Sequence, residues 1–124
     1  MKANIHTGVF DPETMLKAAA EADVLINATP LGMSGFGEDF DSLEFLKGMP
    51  AGAMVCDIIY NPPMTRLLIE AASLGLKTQN GLGMLIYQAL LADELFLGRA
   101  LDKPALYKTV YGALSSKWKE EANK

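Results

Sequence analysis

Apolar and polar positions change their spacing several times along the chain, and each change marks an element. Lys2 to Thr7 has the alternation of a short strand, ended by Gly8. Asp11-Pro12-Glu13 supplies a capping side chain, a proline at the first helical position and an acid in the first turn. This predicts a helix to about Ala22 with Met15, Leu16 and Ala19 on one side. Asp23 to Thr29 is a nearly continuous apolar run closed by polar residues, as in a parallel strand covered on both faces. A loop with three glycines and three acids, Pro30 to Asp41, leads to a short helix over about Ser42 to Lys47. Ala53 to Ile59 is the next strand. Tyr60-Asn61-Pro62-Pro63 ends it, because two prolines cannot extend a central strand. Thr65 is placed to cap a helix through Ser73, with Gly75 at its end. Leu76 to Asn80 is the last short strand. The helix from Gly83 to about Leu97 is apolar almost all round, which predicts that it is largely buried. Gly98 breaks it, and Asp102-Lys103-Pro104 starts a final helix with Leu106, Val110, Leu114 and Trp118 at spacing of four.

The sum is an α/β fold: an open parallel sheet of about four strands with helices on both faces, a partial Rossmann-like domain. Its crossovers are right-handed, and residues 1–124 form a single domain. If the strand at 2–7 does not lie beside the one at 23–29, that edge is open and recruits another chain, either a second copy or a companion.

Strand ends that leave a parallel sheet on one edge are where such folds bind ligands. Three segments fall there: Asn27 to Met33, Tyr60 to Pro63, and Asn80 to Met84. The third opens a helix with Gly81 and Gly83, and Gln88 follows just over one turn later with two amide donors and two acceptor lone pairs. That spacing fits a hydroxylated ligand, and it equally fits a plain strand-to-helix turn. Together the segments suit a planar, partly apolar cofactor and a polar small molecule. No Ser-His-acid set can be drawn from the rim, and no Gly-x-Gly-x-x-Gly follows a strand.

Composition narrows the choice of partner. Half of the residues are hydrophobic and the net charge is −4, which argues against a nucleic-acid partner, since phosphate binding needs a basic surface. Asp93, Glu94 and Arg99 interrupt the longest apolar stretch, so no membrane span is expected. Cys56 is the only cysteine, flanked by apolar residues as a buried strand cysteine would be, and it excludes an internal disulfide. These features fit a cytoplasmic protein. His6, the single histidine, has no second histidine or spare cysteine with which to build a metal site.

The three rim segments carry a resemblance. Asp23 to Met33 (DVLINATPLGM), Asp57 to Leu68 (DIIYNPPMTRLL) and Asn80 to Ala89 (NGLGMLIYQA) resemble, in order and spacing, the C-terminal NADP(H)-binding half of shikimate dehydrogenases. Glu94 to Gly98 continues the similarity, which covers about residues 20 to 100. The resemblance implies an NADP-dependent oxidoreductase interconverting 3-dehydroshikimate and shikimate in aromatic amino acid biosynthesis. By the same resemblance, Asn27, Ala28 and Thr29 line the cofactor cleft and Ile58 takes the apolar position near the nicotinamide. Gly81 and Met84 approach the same ring, Tyr60 borders the substrate, and Gln88 hydrogen-bonds its hydroxyls. The family's catalytic lysine and aspartate, its glycine-rich loop and its basic 2′-phosphate motif have no counterpart in these 124 residues. Arg66 and Asp93 stand where the family more often has proline and an aromatic residue. Two readings follow: part of such an enzyme, inactive alone, with weak or no NADP(H) binding; or a non-catalytic binding or assembly module that reuses the half-fold.

Overall fold

The computed structural model describes residues 3–122, with side chains to residue 117. Helix α1, Pro12–Ala20, begins as its sequence dictates: the Asp11 carboxylate accepts the Thr14 amide at 2.8 Å and the Thr14 hydroxyl at 3.0 Å. Strand β1, Val24–Asn27, follows, then a short 3₁₀ helix, Glu44–Gly48, and strand β2, Met54–Asp57. Helix α2, Arg66–Ser73, has Thr65 as its cap, the hydroxyl accepting the Leu68 amide at 3.4 Å. It ends at Gly75, whose φ of +77° lets the Leu76 amide reach back to the Ala71 carbonyl at 3.0 Å. Strand β3, Lys77–Gln79, leads into helix α3, Leu82–Leu97, and Gly98 turns the chain into helix α4, Lys103–Ala122.

The sheet is parallel, in the order β1-β2-β3, with Asn27 beside Asp57 and Cys56 beside Gln79 at its carboxyl end. Phe45, Leu46, Val55, Leu67, Leu68 and Ala71 form the main core, with Ala19 of α1 and the half-buried Leu25 of β1 packed into it. Side chains alternate along a strand, so Leu25 pointing inward sends Val24 and Ile26 to the opposite face. There they are 52% and 62% exposed. Cys56 is half-buried rather than buried, because it shares that second face.

Two expectations change. Residues 3–7 form no strand, and Lys2 lies outside the described residues, so β1 is an edge of the sheet in the described structure. The segment is near β1 in sequence, but pairing is non-local and nothing in its side chains fixes a register. Helix α3 is also not buried all round. Leu82, Ile86 and Leu90 face Tyr107, Val110 and Leu114 of α4, forming a second cluster. A single partner helix covers a single stripe, which leaves Leu95 and Phe96 84% and 86% exposed. The predicted stripe on α4 holds at Val110 and Leu114, but Tyr107 packs where Leu106 was expected and Leu106 is exposed, whereas the side chain of Trp118 lies outside the described residues. At the turn between the two helices, Glu94 accepts the Leu101 amide at 2.8 Å and the Lys103 ammonium at 2.6 Å. The Leu101 hydrogen bond, followed by that from Lys103, holds the Glu94 carboxyl below its ordinary range.

Candidate functional site

The three rim segments are tied to one another by main-chain and amide hydrogen bonds. The middle one, Tyr60 to Pro63, is the common anchor. The Ser34 amide donates to the Asn61 carbonyl at 3.0 Å, which brings the loop after β1 against it. From the other side, the Asn80 side-chain amide donates to the Pro63 carbonyl at 2.9 Å, and its oxygen accepts the Leu82 amide at 3.2 Å. The Gly81 amide donates to the Ile59 carbonyl at 2.9 Å. Glycine is required at position 81 for lack of space: a Cβ there would lie 1.8 Å from the Ile58 carbonyl oxygen. The tight contact at Gly81 is thus with the protein's own main chain.

Between the first two segments lies a cleft of about 330 Å³, lined among others by Ala28, Thr29, Met33, Ile58, Tyr60 and Asn61. Four residues singled out from the sequence, Ala28, Thr29, Ile58 and Tyr60, thus stand together on its walls. Asn27 does not. It is buried behind the cleft, its oxygen accepting the Thr29 amide at 3.0 Å and hydroxyl at 2.7 Å, its amide donating to Asp57 at 3.2 Å. Met84 and Gln88 are exposed on α3, four residues apart and so on one face of it, outside the residues that line the cleft. Gly81 is buried at the start of that helix.

Ser34 and Asn61 also line the cleft, though the sequence alone did not single them out as site residues. Their signal was faint: a serine in a glycine-rich loop and an asparagine before two prolines read as turn chemistry. The loop after β1 is fastened farther out by Arg66, whose guanidinium Nε meets the Asp39 carboxylate at 3.1 Å and whose terminal nitrogen donates to the Phe40 carbonyl. Among the described residues no Lys or Arg lines the cleft. Among the described residues no three His, Cys, Asp or Glu side chains are grouped to hold a metal ion. None of the described helices is long and apolar enough to cross a membrane.

These features define a class: a Rossmann-like parallel sheet, flanked by helices, with an apolar cleft where its first two strands end. No family model matches the chain. Individual proteins do. Shikimate dehydrogenase (NADP(+)) of Alkaliphilus oremlandii is 44% identical over 110 residues, 87% of this chain and 38% of that protein. The Geobacillus kaustophilus protein of the same name is 44% identical over 114 residues, 91% of this chain and 39% of its own. Among solved structures, a chorismate mutase/shikimate 5-dehydrogenase fusion protein from Clostridium acetobutylicum superposes with a TM-score of 0.70 at 31% identity, over 84% of this chain and 38% of that one. Shikimate 5-dehydrogenase from Thermus thermophilus, solved with NADP(H) and shikimate, superposes with a TM-score of 0.62 at 35% identity, over 79% of this chain and 36% of that one.

The chain belongs to the shikimate dehydrogenase family, as a part of it matching the C-terminal portion. It spans about 38% of the length of the relatives it matches.

Proposed function

We propose that this chain contributes the nicotinamide-side wall of an NADP-dependent oxidoreductase that interconverts 3-dehydroshikimate and shikimate, and that these 124 residues transfer no hydride by themselves. The observation that carries the reading is the convergence of Ala28, Thr29, Ile58 and Tyr60 on one cleft at the carboxyl end of the sheet. The residues present fit one end of the cofactor. Met33, Ile58 and Ile59 offer an apolar surface of the kind a flat, weakly polar ring takes up. They do not fit its phosphates, since among the described residues no cation lines the cleft and no Gly-x-Gly-x-x-Gly follows a strand.

In this reading the bound cofactor supplies the hydride, and the chain's own residues orient and exclude. Ile58 and Met33 keep water from the reacting face, and the Thr29 turn and Gly81 set the position of that face. By the family resemblance, Met84 and Gln88, on one exposed face of α3, would approach the ring and the substrate hydroxyls, and Tyr60 would border the substrate. A second reading, a binding or assembly module without catalysis, is favoured by the open edge at β1 and the exposed Val24 and Ile26 beside it. Sedimentation separates this alternative: a strictly monomeric, folded chain counts against edge-mediated assembly.

NADPH titrated into the isotopically labelled chain tests the first reading. The main-chain amides of Ala28, Thr29, Ile58 and Tyr60 are expected to shift together, half-saturating only near ~1 mM, about −4 kcal/mol. Absence of any cleft-localised shift at several times that concentration favours the module without catalysis.

A further inference from the structure

Asp57 is the one buried acid among the described residues, 2% exposed, and it stands behind the cleft rather than in it. Three donors from three segments converge on its carboxylate. One oxygen accepts both the Asn27 side-chain amide at 3.2 Å and the Ile59 main-chain amide at 3.0 Å; the other accepts the Thr65 hydroxyl at 2.8 Å. A charge so deeply buried is tolerated only when its lone pairs are taken up, and such charge-assisted bonds are stronger than neutral ones.

The location gives the arrangement a purpose. Asn27 and Asp57 are the last paired residues of the β1–β2 ladder, followed by one more rung from the Ile58 amide to the Asn27 carbonyl at 3.1 Å. Beyond that point the two chains diverge to become the opposite walls of the cleft, and ladder bonds no longer hold their spacing. The carboxylate takes over. Through the Ile59 amide it fixes the turn at Ile58 to Tyr60. Together with the Leu31 carbonyl, which accepts from the same Asn27 amide at 3.4 Å, it orients that side chain so that the Asn27 oxygen accepts from Thr29. The Thr29 hydroxyl thereby commits its proton to Asn27 and accepts the Leu31 amide at 3.3 Å.

We propose that Asp57 is a positioning residue that sets the separation and orientation of the two turns facing each other across the cleft, with Asn27 as its arm to the first turn. Asn27 and the Thr29 hydroxyl are then committed to the protein, and the first turn meets a ligand with main chain and methyl groups. The proposal concerns the turns themselves; only its consequence for affinity rests on the cleft being a nucleotide site.

Amide hydrogen exchange in the full chain tests it residue by residue. In Asp57→Ala the Ile59 amide, which loses a hydrogen bond to a charged group, is expected to exchange about tenfold or more faster, and the Thr29 amide, whose acceptor Asn27 loses its partner, is expected to exchange faster as well. Relative to them, the Met54 amide, bonded to the Asp23 carbonyl at 2.9 Å within the sheet, is expected to keep its protection. Asp57→Asn retains one oxygen acceptor and is expected to restore most of the protection at both turns. Asn27→Ala, which leaves the carboxylate in place, is expected to release Thr29 while Ile59 stays protected, and it decides the matter if Asp57→Ala does not fold. A purely structural carboxylate would instead speed Met54 as much as the two turns. That outcome, or unchanged Thr29 exchange in Asn27→Ala, overturns the proposal. Release of the turns without any change in NADPH affinity would leave the positioning role standing and count against the nucleotide reading of the cleft.

Discussion

Gly81→Ala is expected to lower the melting temperature by about 10 °C or more, whereas Gly83→Ala, two residues on, is expected to leave it unchanged or raise it. The contrast comes from what each new methyl meets. At position 81 it would stand 1.8 Å from the Ile58 carbonyl oxygen and 2.4 Å from the carbonyl carbon. Those are main-chain atoms next to the central strand, also held by the Gly81–Ile59 hydrogen bond, so the helix start or the strand end must move. Overpacking of this sort costs about 3 kcal/mol or more where backbone has to yield, and each kcal/mol is worth roughly 3–5 °C in a chain of this size. Conformation plays no part, because Gly81 has φ −76° and ψ −3°, open to any residue. At position 83 the nearest atom is the Tyr107 hydroxyl at 3.2 Å, the far end of a side chain that can shift slightly. There alanine also recovers about 1 kcal/mol of helix propensity. Thermal unfolding followed by circular dichroism checks both; equal melting of the Gly81 variant and the parent would contradict the geometry.

The second large effect is catalytic. Offered NADPH and 3-dehydroshikimate, or NADP⁺ and shikimate, these 124 residues alone are expected to show no turnover above background. Holding donor and acceptor in near-attack geometry is worth effective molarities of about 10⁵–10⁸ M. One wall of a cleft cannot enforce that. Ala28, Thr29, Ile58 and Tyr60 meet on this wall, but Met84 and Gln88 lie on an exposed face of α3. Among the described residues no cation lines the cleft to hold phosphates. Robust turnover by the isolated chain would mean that the wall is a complete site and the proposed division of labour is wrong.

Most of the fold was legible where local chemistry decides it. Asp11 and Pro12 announce α1, Thr65 caps α2, Gly75 and Gly98 end helices at positive φ, and the apolar runs at 23–29 and 53–59 become paired parallel strands. What escaped depends on partners distant in sequence. The strand proposed at 2–7 had no register to adopt. The all-round apolar character of α3 overstated its burial, because burial follows from how many neighbours pack on a helix, and α4 covers one stripe. At the rim, the segment-level reading placed three turns together, and hydrogen bonds join them. Single side chains were harder. Asn27 could be read as a ligand group, yet a short amide after a strand competes for its own backbone, and here it turns back to Thr29 and Asp57.

A chimaera tests the central claim most directly: these residues in place of the matched portion of the Alkaliphilus oremlandii shikimate dehydrogenase, assayed for NADP⁺-dependent oxidation of shikimate. If this chain is the nicotinamide-side wall of such an enzyme, the chimaera turns over, and Ile58→Asp within it abolishes activity without unfolding it. A folded chimaera that binds neither NADP⁺ nor shikimate and shows no turnover, beside an active parent, would contradict the account.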